Sequence, residues 1–387
     1  MHSNLVIDLG KIFRLFSGDS EISPFHDYYA NEQTLLRNCS GRLFVHYNGE
    51  DLVRTYWALR KKAIICDTPE RPLEISGPDS VTFLQMIFSR DVSKLKVGRG
   101  FYTISCTHSG GTFMDGILFK LSDDKFWFVQ PDGDMATWML AHSNGFAINI
   151  RDPKSRVLQV QGPKSYEIMH ATSKGVIDHN FGYYHSGFFR IGEQQVYVSR
   201  TGWTGELGYE IYLRDGSKGS ELWEKIMEAG REFNLKPGHT SSIRRIEGAM
   251  LSYHADADIK TNPFELGLDR LVNLDSDISF IGKESLRAIK QKGINRIQVG
   301  LELDCDPLKG PNTLHWPVKV GSQVIGKITS AVYSPRLEKN IALAMVDINH
   351  SQLANEVDIE IDDMLIKGSV VHKPFFDPKK EITKKSL

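Results

Sequence analysis

The densest chemistry-bearing stretch of this chain is Ser199-Arg200-Thr201-Gly202-Trp203-Thr204-Gly205-Glu206-Leu207-Gly208-Tyr209-Glu210-Ile211-Tyr212. Three glycines fall within seven residues, which lets the backbone take positive φ and approach a ligand closely. Trp203, Tyr209 and Tyr212 offer flat aromatic faces, and Glu206 and Glu210 offer acceptors for N–H groups. Such a set suits a heterocycle that is both stacked and hydrogen-bonded, a pterin for example. A glycine-rich hairpin with core aromatics accounts for the same residues equally well.

Two further segments carry isolated charge. In Gly110-Gly111-Thr112-Phe113-Met114-Asp115-Gly116 a lone carboxylate stands where a turn enters an apolar strand. Partial burial there perturbs a pKa and suits the group to proton handling, although a turn or capping Asp reads the same way. In Arg244-Arg245-Ile246-Glu247 basic residues open a helical run, where the helix dipole does not favour them. An Arg so placed can hold a carboxylate, or simply pair with Glu247.

The elements that must position these residues are legible from periodicity. Residues 71–76, Gly77-Pro78-Asp79-Ser80 and residues 81–88 read as strand, turn and amphipathic helix. Residues 157–161, Gly162-Pro163-Lys164-Ser165 and residues 166–170 repeat the device, which suggests an internal duplication. Residues 116–121 with 126–130, and 188–191 with 195–199, read as hairpins. Helical spacing is expected over 222–232 and 243–253. From about residue 295 the pattern alternates: strands are expected at 296–303, 317–320, 323–330, 342–346, 357–361 and 365–371, forming a small barrel. The final residues, from 377 on, are charged and expected to fray.

With 387 residues the chain is too long for one compact core. Lys+Arg 47 against Asp+Glu 48 leaves a net charge of -1, so charge balance gives no case for nucleic acid or an anionic membrane. The four cysteines, Cys39, Cys66, Cys106 and Cys305, form no CxxC pair and read as reduced thiols of a cytoplasmic protein. The first 20 residues do not read as a signal peptide. Phosphate-loop, dinucleotide-fingerprint, zinc-spacing and serine-elbow motifs are all lacking, and no metal is expected.

Taken in order, these segments resemble the aminomethyltransferase family typified by the T-protein of the glycine cleavage system. The family's [ST]RTG[YF]TGExG[FY]E run stands here as Ser199–Glu210, with Trp203 in the Tyr/Phe place. Phe83-Leu84-Gln85, Arg90-Asp91-Val92, Gly98-Arg99 with Tyr102, Gly110 to Asp115, Gln161-Gly162-Pro163 and Arg245-Ile246-Glu247-Gly248 surround it in family order. Asn262-Pro263-Phe264-Glu265, Phe280-Ile281-Gly282-Lys283-Glu284 and Ile328-Thr329-Ser330 follow, so the resemblance spans about residues 23–378.

The resemblance implies an α+β, three-domain fold around a central opening that binds tetrahydrofolate. It divides the chain into a leader (1–22), a folate-binding core of two interleaved lobes (23–290), a β-barrel (291–378) and a charged tail (379–387). Carried over by position, Asp115 looks like the catalytic acidic residue placed near the reactive folate nitrogen, to orient it or take up its proton. Glu206, Glu210, Tyr102 and Arg245 are cofactor-binding residues. Trp203 and Tyr212 look closer to the dimethylsulfoniopropionate demethylase branch. There aromatics face a methylated sulfonium through cation–π attraction, and a methyl group passes to folate. Thr204-Gly205-Glu206, by contrast, is kept as in T-proteins, whose partner is an aminomethyl-lipoyl carrier. A non-catalytic folate-binding relative is a further alternative, but its K-G-C-Y-x-G-Q-E motif is missing here.

Overall fold

A computed structural model describes residues 20–130, 133–239, 242–362 and 364–385. The expected leader lies almost entirely outside the described residues.

The core is built from one device used twice. In the first copy the strand Arg71–Ser76 leads into the helix Ser80–Ile87, then the meander Arg99–Cys106, Thr112–Ser122 and Lys125–Gln130. In the second, Arg156–Gln161 leads into Ser165–Thr172, then Ser186–Ile191, Gln194–Ser199 and Gly208–Leu213. In both, the third meander strand returns antiparallel to the first strand: Leu73 faces Phe128, and Leu158 faces Ile211. The duplication read from two Gly-Pro turns is thus a repeat of whole sheets. Both turn glycines need positive φ, +129° at Gly77 and +126° at Gly162. At Gly162 a Cβ would lie 2.5 Å from the Lys62 carbonyl oxygen, so no side chain fits.

The two copies differ at the edge beside the first strand. The first sheet has five strands and closes with Asn149–Arg151 antiparallel to Arg71–Ser76. The second has six, because Ile64–Thr68 inserts next to Arg156–Gln161 and carries Lys236–Gly238 parallel to it. The sheets face each other through an aromatic layer of Phe119, Trp127, Tyr197 and Tyr212. Helix Ser80–Ile87 covers the outer face of the first sheet, burying Phe83, Leu84 and Ile87 at helical spacing. A small sheet of Glu21–Ile22, Leu35–Cys39 and Arg42–Tyr47 precedes the core.

The alternating C-terminal region closes into a six-stranded barrel: Arg296–Asp304, Trp316–Val320, Gln323–Ser334, Lys339–Asp347, Glu356–Ile361 and Met364–Val371. Val299, Leu301, Leu303, Ala342, Ala344 and Val346 fill it from alternate positions. The fold is α+β, as expected. The four cysteines form no disulfide, and Cys39, Cys66 and Cys106 are buried. Among the described residues no helix is long and apolar enough to cross a membrane.

Two expectations need correction. The helix expected over 243–253 covers only Ser242–Glu247. Ala249 takes φ +47°, which ends it, and Leu251 and Tyr253 pack from a loop against the first sheet's core. As far as Lys385 the tail does not fray: Glu381–Lys384 is a helical turn docked on the core, and the last two residues lie outside the described ones.

Candidate functional site

Asp115 sits in the strand Thr112–Ser122, opposite Ile104. Tyr102, two residues before Ile104, is on the same sheet face, and its hydroxyl donates to Asp115 Oδ2 at 2.7 Å. Asp115 is buried and Tyr102 partly buried. Burial pushes the Asp115 carboxyl up to about 6, opposed by the Tyr102 hydrogen bond and reinforced by Asp256. The preceding loop has no room for a side chain at Gly111, where a Cβ would lie 1.8 Å from the Ile259 carbonyl oxygen. The glycine pair therefore lets this hairpin dock against the segment that carries Asp256.

The signature segment is held from beneath by Gln161. Its amide donates to the carbonyls of Thr201 (3.0 Å) and Tyr209 (3.3 Å) and accepts from Thr204 Oγ1 (2.7 Å). A Cβ at Gly202 or Gly208 would fall 2.1–2.2 Å from that amide. Those two glycines are therefore required by close approach, while Gly205 is required by its φ of +71° with open space beside it.

Glu206 accepts from Arg60 Nη1 (3.0 Å) and Arg336 Nη2 (3.3 Å) through one oxygen, Oε1. Arg60 also donates to Thr204 O (2.8 Å) and to Glu247 Oε2 (2.5 Å). Glu247 further accepts from Tyr56 and Ser334, each at 2.6 Å. This buried network joins the helix Leu52–Lys61, the signature loop, the helix Ser242–Glu247 and the barrel. Burial raises the Glu206 pKa against the opposing pull of Arg60 and Arg336.

Glu210 lies deeper. It accepts from Gln159 Nε2 (2.8 Å), Thr201 Oγ1 and the Tyr212 hydroxyl (3.1 Å), and burial raises its pKa against these hydrogen bonds. Tyr212 stands in the aromatic layer between the sheets with no solvent exposure. Arg245 pairs with Asp256 (2.8 Å) and Ser330 Oγ (2.7 Å) rather than with Glu247. Its guanidinium lies 5.5 Å over the half-buried Trp203 ring, whose Nε1 donates to Leu251 O at 3.2 Å.

A pocket opens at the signature loop, lined by Arg60, Gly202, Gly205, Glu247, Gly248 and Met250 among others. The structure thus brings Trp203, Glu206 and Arg245 to one region. Asp115 and Tyr102 are joined to it electrostatically through Asp256, which holds Arg245. Glu210 and Tyr212 lie behind, in the sheet–sheet layer. Sequence reading missed Arg60 and Arg336, which sit in an ordinary amphipathic helix and a barrel turn and carry no local signal. Among the described residues no three His, Cys, Asp or Glu side chains are placed to hold a metal ion.

Comparison with known proteins agrees with this architecture. Residues 37–276 match the GCVT N-terminal domain, and residues 296–377 match the glycine cleavage T-protein C-terminal barrel domain. The aminomethyltransferase of Thermoanaerobacter pseudethanolicus is 31% identical over 335 residues, covering 84% of this chain and 90% of that protein. That of Bacillus mycoides is 33% identical over 317 residues, covering 80% and 85%. The crystal structure of the glycine cleavage system aminomethyltransferase T from Bartonella henselae superposes with a TM-score of 0.82 at 20% identity. It covers 92% of this chain and 98% of that one, and so shares its fold. The chain belongs to the glycine cleavage T-protein family of aminomethyltransferases.

Proposed function

We propose that this chain is an enzyme that transfers a one-carbon unit to N5 of tetrahydrofolate, taking it as an aminomethyl group from a lipoyl carrier protein. The observation that carries the reading is the Asp115–Tyr102 pair, a carboxyl held near neutrality by burial and oriented by one hydroxyl. The residues present fit a reduced folate. Among the described residues Oε2 of Glu206 accepts no hydrogen bond and is available to a ring N–H. Arg60 Nε and Arg336 Nη1 beside it are buried donors without partners.

The folate would supply a nucleophilic nitrogen. Asp115 would orient that nitrogen and take up its proton, which a carboxyl near 6 does reversibly at neutral pH. Glu206, fixed by Arg60 and Arg336, would align the ring, and the glycine-lined wall would exclude water. The aminomethyl donor is favoured over a methylated onium compound by the relatives' activity and by the placement of the aromatics. The Trp203 ring already carries Arg245, and Tyr212 is enclosed between the sheets.

The test is incubation of the purified protein with tetrahydrofolate and either an aminomethyl-lipoyl carrier protein or a panel of sulfonium and betaine compounds. The folate product is identified by mass spectrometry. 5,10-Methylene-tetrahydrofolate from the carrier is expected, with ammonia and the free dihydrolipoyl thiol released as the carbon bridges N5 and N10. 5-Methyl-tetrahydrofolate from a panel compound, with no product from the carrier, would replace this reading with the demethylase one.

A further inference from the structure

At the tip of the hairpin that carries Asp115, His108 faces a second imidazole. Its Nε2 lies 3.3 Å from Nε2 of His142, the residue that ends the helix Met135–Ala141. His108 is exposed and His142 half-buried, so both rings reach solvent. Neither lines the pocket at the signature loop.

Both residues are fixed before any ligand arrives. The His108 turn is closed by the Thr107 amide on the Gly111 carbonyl (2.8 Å) and the Gly110 amide on the Thr107 carbonyl (2.9 Å). The His108 carbonyl itself accepts from Ser285 Oγ at 2.7 Å. On the other side, His142 Nδ1 lies 2.8 Å from the Trp138 carbonyl oxygen, one helical turn earlier. A carbonyl only accepts, so Nδ1 carries the proton, and in the neutral ring Nε2 is left with a bare lone pair. An imidazole whose far nitrogen is held by a backbone carbonyl is the usual form of a metal-ligating histidine.

Two ring nitrogens this close need a positive group between their lone pairs. A proton donated by His108 Nε2 is one choice, but 3.3 Å exceeds the usual N–H hydrogen-bond range of about 2.7–3.2 Å. A tetrahedral metal ion is the other. With zinc–nitrogen bonds of about 2.0–2.1 Å, two ligating nitrogens stand about 3.3–3.4 Å apart, which is the separation found here. Among the described residues no third His, Cys, Asp or Glu completes a metal cluster, so water would fill the remaining positions. Imidazole ligands select zinc, nickel or copper, whereas calcium and magnesium require oxygen.

We propose that His108 and His142 form a site for a divalent transition-metal ion of the zinc, nickel or copper class, which clasps the tip of the Asp115 hairpin to the helix Met135–Ala141. On binding, His108 carries its proton on Nδ1 and presents Nε2 to the metal. The site is independent of the folate reading and supplies no catalytic group.

The chain contains its own reporter, because the Trp138 ring lies 4.3 Å from the His142 ring and 6.2 Å from that of His108. The full chain, treated with chelator and dialysed, is titrated with Zn2+ by calorimetry and with Cu2+ by tryptophan fluorescence. One equivalent of Zn2+ is expected to bind saturably. Cu2+, which such ligands hold more tightly, is expected to quench the fluorescence. His108→Gln and His142→Gln are each expected to weaken Zn2+ binding more than about tenfold, because a lost ligand costs at least as much as a lost outer partner. Trp138→Phe should bind Zn2+ as the unaltered chain does and lose most of the quenching. Absence of saturable binding by the unaltered chain, unchanged binding in both histidine variants, or quenching retained in Trp138→Phe overturns the proposal.

Discussion

The Tyr102 hydroxyl and the Asp115 carboxylate are joined by a 2.7 Å hydrogen bond across two paired strands, the carboxylate buried and the tyrosine partly so. The carboxylate makes the phenol harder to ionise, while the phenol makes the carboxyl easier to ionise. The carboxylate raises the phenol's pKa, after burial, and the phenol's hydrogen bond lowers the carboxyl's against the larger effect of burial.

Removing the phenol's oxygen takes away a stabiliser of the ionised carboxyl. Tyr102→Phe should therefore move the acid limb of the kcat profile to higher pH from its starting point near 6. Rates measured from pH 5 to 8 check this; a limb that stays in place would separate Asp115 from the titrating group.

Asp115→Asn keeps the acceptor for Tyr102 but cannot take a proton. Turnover should fall about 100-fold or more, with tetrahydrofolate affinity little changed. Parallel turnover and binding assays give the answer, and near-normal turnover would leave Asp115 as a structural residue.

Arg60 is enclosed between Glu206 and Glu247, all three side chains almost wholly buried. Arg60→Met would leave the Glu247 carboxylate buried without a cation and Glu206 with Arg336 alone, which typically costs about 3–5 kcal/mol. Urea unfolding should show the loss. The Arg60→Met, Glu206→Gln, Glu247→Gln triple variant should recover much of it.

Asp67 is buried beneath Tyr29, whose hydroxyl donates to it at 2.5 Å. Burial raises its pKa to about 6, against the hydrogen bonds of Ser23 and Tyr29. A carboxyl with a folded pKa above the unfolded value of about 3.9 makes the folded state bind the extra proton. Its contribution to stability is thus present at low pH and lost as pH rises from about 4 to about 6. The change is on the order of 3 kcal/mol. Asp67→Asn should flatten that part of the stability-versus-pH curve, as thermal unfolding at a series of pH values will show.

The sequence alone determined what depends on near neighbours. Glycine spacing marked the signature loop and the docked hairpin before Asp115. Alternation from Arg296 to Val371 marked the barrel, because each strand there has one buried and one exposed face. The duplicated Gly-Pro turns were visible because positive φ demands glycine at Gly77 and Gly162. What tertiary structure decided are pairings between distant residues. Arg60 meets Glu206 from 146 positions away, and Arg200 meets Lys385 from 185 positions away. No local pattern encodes either contact. The strand Gly208–Leu213 is buried on both faces, so its alternation could not say which face meets the ligand. Tyr212 is therefore open to reading as a pocket residue until the first sheet packs over it. Helix Ser242–Glu247 was read too long for a related reason. Apolar spacing through Tyr253 satisfies a helix, yet Leu251 and Tyr253 bury themselves from a loop once Ala249 turns the chain. Periodicity reports that a residue is buried; only the packed molecule settles against what.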